Sequence, residues 1–380
     1  MKVCLINNLF PPFDRGGAEK YLEKLERGFL REGHEVFIIS TRPYTANFKK
    51  RERVYYLKSL YFNISKMPAF LRVFWHFFGF FSFYKYFLVL KIFKKEKPDL
   101  VITNNLMGIG NNILLSTYKK KIKHIHVLHD IQLLHPSGLM FWEEENKIDS
   151  IFAKLYQRFN IFYSSKLLNV VSPSSWLLEE HLKRGFFKMS NCRTIFNPIE
   201  ITNTPDGKIQ NTGKFTFLYL GQIEKHKGVE LLLRTIKEFF RNNLNAQLQI
   251  VGSGSQEQNM REVFESDQIK FLGRKEGVEV KKAIIESDCL ILSSLCYENS
   301  PTVVYEAAEY GIKFIYPNFG GAQEIGGYFE GVPYNPGKKG SLLRAIELAF
   351  SQGEMHNFQN KKVLELSTSN YIQKLTSIIS

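Results

Sequence analysis

The sequence predicts an α/β protein of two domains, and three observations support this fold class. Apolar runs of strand length alternate with amphipathic segments of helix length, which predicts parallel sheets covered by helices. The alternation stops at 197–213, where the sequence is polar and rich in turn formers, and restarts at Lys214. The 380 residues suffice for two domains of ordinary size. We predict domains at 1–197 and 198–380, and leave open whether the last helix packs back on the first.

The first half opens with a strand–helix–strand unit. MKVCLINNLF is typical of a buried strand. The apolar residues of the next segment recur at helical spacing before the stop signal Gly33, and they are Tyr21, Leu22, Leu25, Phe29 and Leu30. VFIIST is the next strand, so the sheet is expected to be parallel. PDLVITNN, HIHVLHD and LLNVV continue the strand series, and SPSSWLLEEHLKRGF follows as a capped helix.

The second half repeats the alternation. FTFLYLGQ, the stretch Leu248–Ser255, IKFLG, CLILSS and KFIYPN are typical of strands. KGVELLLRTIKEFFRNN and VKKAIIES are typical of helices between them. The sequence therefore predicts a second parallel sheet.

Charge separates the two halves. The formal net charge is +14, and residues 1–200 hold 31 Lys or Arg against 17 Asp or Glu, whereas 201–380 hold 20 of each. A basic first half predicts an anionic partner: nucleic acid, an acidic membrane surface or a phosphate-bearing substrate. An apolar fraction of 44% excludes a disordered chain.

The cysteines indicate a reducing compartment. Cys4, Cys192, Cys289 and Cys296 form no C-x-x-C pair and no zinc spacing, so we expect reduced core thiols in a cytoplasmic protein. The first apolar run, VCLI, is too short for a secretory signal, which is therefore not expected.

Residues 69–93 are strongly aromatic, with twelve Phe, Tyr or Trp side chains. The longest run without Lys or Arg is Val73–Tyr84, shorter than the roughly 20 apolar residues of a spanning helix, so a transmembrane span is not expected. Two interpretations stay open: helices packed on the sheet, or an interfacial surface whose basic flanks bind anionic lipid. The flanking basic residues are Lys49, Lys50, Arg51, Arg53, Lys94, Lys95 and Lys97.

The stretch YENSPTVVYEAAEYG begins a helix in the second half. Ser300 is a good N-cap and Pro301 suits the first helical position. The backbone N–H groups of Ser300, Thr302 and Val303 are then expected to point out of a helix N-terminus. Such a terminus binds phosphate well.

Two carboxylates flank this helix start. Glu298 follows the strand CLILSSL, at the sheet edge where α/β proteins bind ligands. A carboxylate repels a diphosphate, so Glu298 is better placed to accept hydrogen bonds from sugar hydroxyls. Glu306 lies eight residues on, where it would take a ribose diol. A surface cap followed by a solvated glutamate stays open as the alternative.

These residues resemble the E-x7-E motif of retaining glycosyltransferases of family 4, which have the GT-B architecture. GIKFIYPNFGGAQEI resembles the segment that follows the motif in that family. Further elements occur in family order: PPFDRGGAEKYLEKL, LHD, NVVSPSSWLLEEH, IFNPIE, LYLGQIEKHKGVELLL, LQIVGSGS and IKFLGR. The resemblance implies two Rossmann-like domains facing each other across a cleft, with the nucleotide-sugar donor on the second domain and the acceptor on the first.

The resemblance also implies roles for individual residues. Gly16 and Gly17 would touch the diphosphate and the acceptor, and His129 would contact the transferred sugar, with Asp130 orienting it. Lys227 would neutralise the leaving diphosphate, so the predicted catalytic residues are His129, Lys227 and Glu298. The remaining donor-binding residues would be Gln222, Ser300, Thr302, Val303 and Glu306.

One position departs from the family pattern. The family normally has an arginine five residues before the lysine, and Gln222 stands there in this sequence. Glutamine donates hydrogen bonds but carries no charge, so part of the stabilisation of the leaving group is missing. Lys225 and Arg274 are candidates to replace it.

No metal and no cofactor are predicted. D-x-D, the pair that holds a divalent cation in metal-dependent transferases, does not occur in the sequence. The helix N-terminus and Lys227 would neutralise the diphosphate instead. His124, His126 and His135 lie near LHD and stay open as metal ligands.

We predict a retaining hexosyltransferase that moves a sugar from a UDP- or GDP-sugar to a hydroxyl of a glycan or lipid-linked acceptor in bacterial surface polysaccharide synthesis. The expected location is cytoplasmic, either free or peripheral on the inner face of the cell membrane. The alternatives are a GT-B nucleotide-sugar epimerase and, because of Gln222, a catalytically weak partner subunit. A nucleic-acid partner is not expected, because the basic residues form no recognisable binding module.

Overall fold

The computed structural model describes residues 1–13, 16–68, 71–72, 75, 79, 82–201, 213–353 and 360–379. The chain divides into two compact units. The N-terminal unit consists of Met1–Met140, Glu144–Pro198 and Thr368–Ser380. The C-terminal unit consists of Phe141–Glu143 and Ile199–Ser367. Most of the predicted linker, 202–212, lies outside the described residues.

Within the described residues, the N-terminal unit holds a seven-stranded parallel sheet of order β3-β2-β1-β4-β5-β6-β7. The strands are β1 (Lys2–Ile6), β2 (Glu35–Arg42), β3 (Val54–Lys58), β4 (Leu100–Thr103), β5 (Lys123–Val127), β6 (Asn169–Ser172) and β7 (Asn191–Thr194). The helices are α1 (Gly17–Arg31), α2 (Phe83–Glu96), α3 (Leu114–Lys120), α4 (Ile151–Ser164), α5 (Ser175–Lys183) and, from the end of the sequence, α13 (Thr368–Ser377). Short 3-10 segments occur at Leu60–Lys66, Asn111–Ile113 and Glu145–Asp149.

The core of this unit combines β1 with α1 and α13. β1 is an apolar run because helices cover both faces of a parallel sheet. α1 buries the predicted apolar stripe except for Leu30, which is 47% exposed. α13 adds Ile372 and Leu375 to the same core, and the hydroxyls of Tyr21 and Tyr371 lie 2.8 Å apart. The segment Thr368–Ser380 is thus an integral part of the N-terminal unit.

The described part of the C-terminal unit holds a six-stranded parallel sheet of order β10-β9-β8-β11-β12-β13. Its strands are β8 (Phe215–Leu220), β9 (Ala246–Val251), β10 (Ile269–Gly273), β11 (Cys289–Ile291), β12 (Lys313–Pro317) and β13 (Val332–Tyr334). Its helices are α6 (Val229–Phe240), α7 (Glu257–Phe264), α8 (Val278–Ile285), α9 (Thr302–Glu309), α10 (Gly320–Tyr328), α11 (Ser341–Ser351) and α12 (Asn360–Glu365). A 3-10 turn, Lys225–Lys227, precedes α6.

Both sheets change direction at their centre. β1 lies between β2 and β4, and β8 lies between β9 and β11, so the chain moves outward first to one side and then to the other. Ligands of open α/β sheets bind beyond the carboxyl ends of the strands at such a switch point. The predicted fold class, two parallel-sheet Rossmann-like domains, is confirmed.

The aromatic segment 69–93 is described only in part, because 69–70, 73–74, 76–78 and 80–81 lie outside the described residues. Its described end forms the start of α2, where Phe83, Tyr84 and Phe87 are exposed. Among the helices that the structure describes, none is both long and apolar enough to cross a bilayer. All four cysteines are free thiols, three of them buried, and Cys192 is half-buried.

Candidate functional site

Lys227 and Glu298 meet at the switch point of the C-terminal sheet. Lys227 ends the 3-10 turn after β8, and Glu298 lies in the loop after β11. The Lys227 Nζ is 2.5 Å from the Glu298 Oε1, and the Ser294 hydroxyl donates to the same oxygen at 2.6 Å. Their side chains are 24% and 15% exposed. The structure therefore brings together two predicted catalytic residues, and it adds Ser294, which no local pattern indicates.

Each charge of this pair stabilises the other. Burial by itself would lower the pKa of Lys227, but the Glu298 carboxylate raises it above its ordinary value. Burial by itself would raise the pKa of Glu298, but the Lys227 ammonium and the hydrogen bonds hold it below its ordinary value. Both groups are therefore charged at neutral pH, and each remains able to meet a polar ligand.

Backbone contacts fuse the loops that carry the pair. The His226 carbonyl accepts hydrogen bonds from the N–H groups of Leu295 and Cys296 at 2.9 and 3.2 Å. The Ser293 hydroxyl donates to the Lys227 carbonyl at 2.9 Å. The two loops therefore hold the Lys227–Glu298 geometry as one rigid element.

A three-residue segment, Phe141–Glu143, packs against this loop, and we call it the strap. The backbone N–H of Trp142 donates to the Leu295 carbonyl at 3.0 Å, and Phe141 forms an antiparallel β-bridge with Cys296. The Trp142 ring centroid lies 6.0 Å from that of Tyr297 and 4.6 Å from that of Phe319. The strap thus holds the backbone directly before Glu298. Sequence reasoning missed it, because contacts between residues so distant along the chain leave no local signal.

The predicted start of the glutamate-bearing helix is wrong by one residue. α9 begins at Thr302 with Pro301 as its N-cap residue, and no side chain caps it. The Ser300 hydroxyl instead lies 2.5 Å from the hydroxyl of Tyr305, which belongs to the same helix. Thr302 and Val303 keep the predicted place in the first turn.

Glu306 lies on the second turn of α9 and is half-buried. It follows Glu298 by eight residues, but the two side chains occupy different elements, one in a loop and one on a helix. The structure thus assigns the pairing with Lys227 to the first carboxylate of the motif.

Gln222 follows β8 with an exposed side chain. Its carbonyl accepts a hydrogen bond from the Tyr219 hydroxyl at 2.6 Å, which fixes the backbone of the loop. Of the two cations considered as replacements for a family arginine, Lys225 is exposed and Arg274 pairs with Glu276 at 2.8 Å. Neither Lys225 nor Arg274 therefore contacts the Lys227–Glu298 pair as a second cation.

Glycine is required where the loops after β8 and β9 meet. Gly252 has φ +150°, and a Cβ there would lie 1.8 Å from the Gly221 carbonyl oxygen. β9 ends at Val251, directly before Gly252 and earlier than the predicted strand end at Ser255. The loops beside the site therefore depend on the absence of a side chain.

Gly252→Ala is expected to destabilise the C-terminal unit by roughly 3 kcal/mol or more, because backbone must move to admit the methyl group. Denaturant unfolding of the full chain measures this. Gly327→Ala is the matched control. Gly327 lies in α10, and a Cβ added there would lie 4.0 Å from the Tyr316 hydroxyl oxygen. The control should be neutral or slightly stabilising. Equal losses in both variants would contradict the steric argument.

In the N-terminal unit, Gly16 and Gly17 begin α1. Gly16 is the N-cap residue, and its N–H donates to the Glu19 Oε2 at 2.7 Å. Gly17 is the first helical residue. The helix start is therefore already satisfied in part by a carboxylate of its own first turn.

His129 lies just beyond β5 and bonds to a neighbouring strand end. Its Nε2 is 2.8 Å from the Asn104 Oδ1, so Nε2 carries the proton and donates to the amide oxygen. Its ring packs edge-on against Tyr21, with centroids 4.7 Å apart. Burial lowers the pKa of His129 to about 4, so the ring is neutral at physiological pH. Its Nδ1 is therefore a hydrogen-bond acceptor, the form suited to a sugar hydroxyl.

Asp130 lines a small pocket beside His129. Burial raises the pKa of Asp130 to about 7, against the hydrogen bonds it accepts from the Gln132 N–H at 2.7 Å and the Asn105 amide at 3.2 Å. The Gln132 Oε1 is buried and has no hydrogen-bond partner in the described part of the chain. Amide and carboxyl groups share the lining of this pocket with apolar side chains such as Leu106, Met107 and Leu133, and its polar groups can hydrogen-bond to hydroxyls.

Two histidines near the pocket are satisfied by threonine hydroxyls. Thr117 Oγ1 donates to the Leu114 carbonyl, so it accepts from His124 Nδ1. Burial lowers the pKa of His124 to about 3, so its Nε2 is unprotonated and accepts from Thr103. Thr103 in turn accepts from His126 Nδ1. Both nitrogens of His124 are thus occupied by hydroxyl groups, and within the described residues no group of three or more His, Cys, Asp or Glu side chains is arranged to hold a metal ion.

Comparison with known proteins agrees with this architecture. Residues 15–203 match the family model described as Glycosyltransferase Family 4, and residues 201–363 match the model described as Glycosyl transferases group 1. A 42.6 kDa protein in the cps region of Klebsiella pneumoniae is 24% identical over 336 residues, which is 86% of this chain and 87% of that protein.

Solved structures show the same fold at lower identity. The lipopolysaccharide outer core galactosyltransferase WaaB, in its apo form, is 18% identical with a TM-score of 0.67, covering 100% of this chain and 99% of its own. Anabaena HepE in complex with UDP-glucose is 16% identical with a TM-score of 0.70, covering 99% of each chain. With two family models that together span 15–363, the chain is a family 4-like glycosyltransferase of the GT-B type.

Proposed function

We propose that the chain transfers a hexosyl group from a nucleotide-sugar to a hydroxyl of a glycan or lipid-linked acceptor, with retention of anomeric configuration. The observation that carries this proposal is the Lys227–Glu298 pair, held within 2.5 Å at the sheet switch point. The Lys227 ammonium would bind the diphosphate of a nucleotide-sugar, and the Glu298 carboxylate would accept hydrogen bonds from the sugar hydroxyls. Leaving-group stabilisation by Lys227 and the start of α9 is then the main catalytic term.

The donor is proposed to be a UDP- or GDP-sugar. In this assignment Glu298 accepts hydrogen bonds from the sugar, Glu306 from the ribose, and Gln222, Thr302, Val303 and Ser300 contribute polar groups around the diphosphate. The complex of HepE with UDP-glucose supports a uridine nucleotide as the first donor to test. No divalent cation takes part in the proposed site, because Lys227 supplies the compensating charge.

The acceptor is proposed to bind the N-terminal unit. The pocket beside Asp130, together with Gly16 and Gly17 at the start of α1, would bind a hydroxyl-bearing acceptor, and His129 would contact the transferred sugar. The relative in the cps region supports an acceptor from surface polysaccharide synthesis. A lipid-linked acceptor would place the protein at the cytoplasmic face of the membrane, where the basic charge of residues 1–200 favours anionic lipid.

A catalytically weak partner subunit is the second candidate, and one observation favours it. Gln222 leaves the diphosphate site with one cation fewer than the family pattern, and Arg274 is engaged with Glu276. Turnover by the isolated chain distinguishes the two candidates. Hydrolysis or transfer that Glu298→Gln abolishes would exclude the weak-subunit function.

A panel of UDP-, GDP- and ADP-sugars should identify the donor by thermal shift. A ligand at 100 times its Kd stabilises the native state by roughly 2.7 kcal/mol, so one nucleotide should raise Tm well above the others. Lys227→Met should remove most of that shift, whereas the exposed neighbour variant Lys225→Met should keep it. If none of the nucleotides shifts Tm, the donor assignment is wrong.

The same panel leads to two tests of mechanism. Proton NMR of the first product formed should show the anomeric configuration of the donor, and an inverted product would exclude retention. Activity should persist in chelator, and activity that returns only with manganese would overturn the metal-independent site.

A further inference from the structure

Helix α4 has an inverted distribution of apolar residues. Its exposed face carries Ile151, Phe152, Leu155 and Phe162, which are 86%, 72%, 43% and 63% exposed. Because successive residues turn by about 100°, these four side chains and the half-buried Phe159 fall on one stripe about 100° wide. The face buried against the unit is more polar and consists of Ala153, Tyr156, Gln157, Asn160, Tyr163 and Ser164. This helix shows its most apolar side to the outside.

The buried polar side chains explain why this orientation is fixed. The Gln157 amide donates to the carbonyls of Leu134 and Ile148 at 3.2 and 2.8 Å, and the Asn160 amide donates to the Leu133 carbonyl at 2.8 Å. Rotating the helix to bury its phenylalanines would break these bonds. The apolar stripe is therefore presented outward by specific hydrogen bonds.

Basic residues are concentrated on α4 and on the neighbouring helix α3. The segment 150–168 carries Lys154, Arg158 and Lys166 and has no Asp or Glu. The neighbouring segment 111–124 carries four lysines, at 119, 120, 121 and 123, and again has no Asp or Glu. α3 packs against α4, and the Lys166 ammonium lies 5.7 Å from the Tyr118 ring. Basic side chains therefore border the stripe on α3 and α4, whereas the acidic residues Glu145 and Asp149 lie in the 3-10 segment that precedes α4.

α2 extends this surface with the same combination. Lys119 of α3 lies 5.8 Å from the ring of Tyr86 in α2, so the two helices are neighbours. α2 exposes Phe83, Tyr84 and Phe87 by 58%, 75% and 64%. Aromatic and basic side chains thus alternate across three adjacent helices of the N-terminal unit.

We propose that the exposed face of α4, with its basic neighbours on α3, docks the protein on an anionic lipid bilayer. Apolar side chains flanked by Lys and Arg match the acyl boundary and the charged headgroups of such a surface. Lysine is depleted in protein–protein interfaces, so the lysine-rich neighbourhood of the stripe favours a layer of lipid headgroups over a protein partner. Docking would bring the protein to a lipid-linked acceptor, and in this respect the proposal rests on the proposed function. Vesicle binding itself needs neither donor nor turnover and can be measured separately.

The test uses the purified full chain and sedimentation with two kinds of vesicle. One is equal parts phosphatidylglycerol and phosphatidylcholine, and the other is phosphatidylcholine alone. We expect binding to the first that weakens with added salt, and much less binding to the second. Phe152→Ser with Phe162→Ser should reduce partitioning at least tenfold, and Lys154→Glu with Arg158→Glu should reduce it about fivefold or more for each charge removed.

Matched exposed residues of the C-terminal unit give the controls. Leu244→Ser with Val278→Ser removes two apolar side chains that are 75% and 81% exposed. Arg241→Glu with Lys281→Glu reverses two exposed charges. Both controls should bind vesicles like the parent chain. Equal losses in control and α4 variants, or no loss in either, would overturn the proposal.

Two further readings separate this inference from other outcomes. Sedimentation velocity of Phe152→Ser with Phe162→Ser should show an unchanged oligomeric state. A dissociated oligomer with intact vesicle binding would instead make α4 a contact between copies, against the proposal. The α4 variants should keep the Tm shift that the donor produces in the parent chain. If the donor does not shift the Tm of the parent chain, that result counts against the proposed function and leaves the docking proposal unaffected.

Discussion

Replacing Lys227 by Met is expected to lower kcat/KM for glycosyl transfer by roughly 10²–10³-fold, the loss typical of a missing group that stabilises developing negative charge. Glu298→Gln should also lose turnover, because the proposed contact to the sugar weakens. The two variants should differ in their affinity for the free nucleoside diphosphate. Lys227→Met should weaken it, whereas Glu298→Gln should preserve or strengthen it, because the ammonium no longer faces a competing carboxylate at 2.5 Å.

Stability measurements separate this chemistry from simple damage to the fold. Removing one partner of a buried ion pair costs roughly 3–5 kcal/mol, and the exposure of 24% and 15% moves the expected loss for Lys227→Met to the lower end of that range or below it. The double variant should lose less than the sum of the single variants, because neither charge is then left alone. Lys225→Met, which removes an exposed lysine two residues away, should change neither stability nor activity. Parallel weakening of diphosphate binding in Lys227→Met and Glu298→Gln would contradict the assigned roles.

The ion pair also has a defined pH range. The pKa of Glu298 is lowered on folding, so its contribution is present above its ordinary pKa and is lost as pH falls through the folded value. The pKa of Lys227 is raised, so its contribution is present below its ordinary pKa and is lost as pH rises through the folded value. Between those limits the stability derived from this pair should be independent of pH.

Asp130→Asn is expected to stabilise the N-terminal unit at neutral and alkaline pH. The pKa of Asp130 is about 7 in the folded state against 3.8 as its ordinary value, so folding holds a proton that the unfolded chain releases. Its contribution to stability is largest below pH 3.8, falls as pH rises to about 7, and is constant above that. The difference corresponds to at most roughly 4 kcal/mol. The amide variant does not titrate and should remove this loss.

Denaturant unfolding at a series of pH values measures the effect. The advantage of Asp130→Asn should be near zero at the acid end and should grow through the window up to pH 7. Asp149→Asn is a control of opposite sign, because Arg184 donates two hydrogen bonds to Asp149 and lowers its pKa. That variant should destabilise at neutral pH. A flat difference between parent and Asp130→Asn across the window would show that Asp130 titrates normally.

Local sequence signals were sufficient for most of the fold. β1, β2, β4, β5 and β8 are apolar runs whose period and order do not depend on distant residues. The same approach overlooked α4, because its apolar side chains face outward and its buried face holds Gln157 and Asn160. Hydrophobic periodicity then still marks a helix but identifies the wrong face as the interior.

The site shows a similar division between local and tertiary information. The spacing of Glu298 and Glu306 and the presence of Lys227 can be read from the sequence. The contacts of Ser294 with Glu298 and of His129 with Asn104 cannot, because each partner is supplied by folding. Ser300 shows where a local capping rule fails, because its hydroxyl lies 2.5 Å from the Tyr305 hydroxyl and the helix begins one residue later than predicted.

The segment Thr368–Ser380 has a consequence for how the protein is made. The ribosome delivers Tyr371, Ile372 and Leu375 only after the whole of Ile199–Ser367, yet these side chains fill the core around α1. The earliest-translated half is therefore left with an unfilled hydrophobic surface throughout elongation. The N-terminal unit can therefore be completed only after every residue of Ile199–Ser367 has been synthesised.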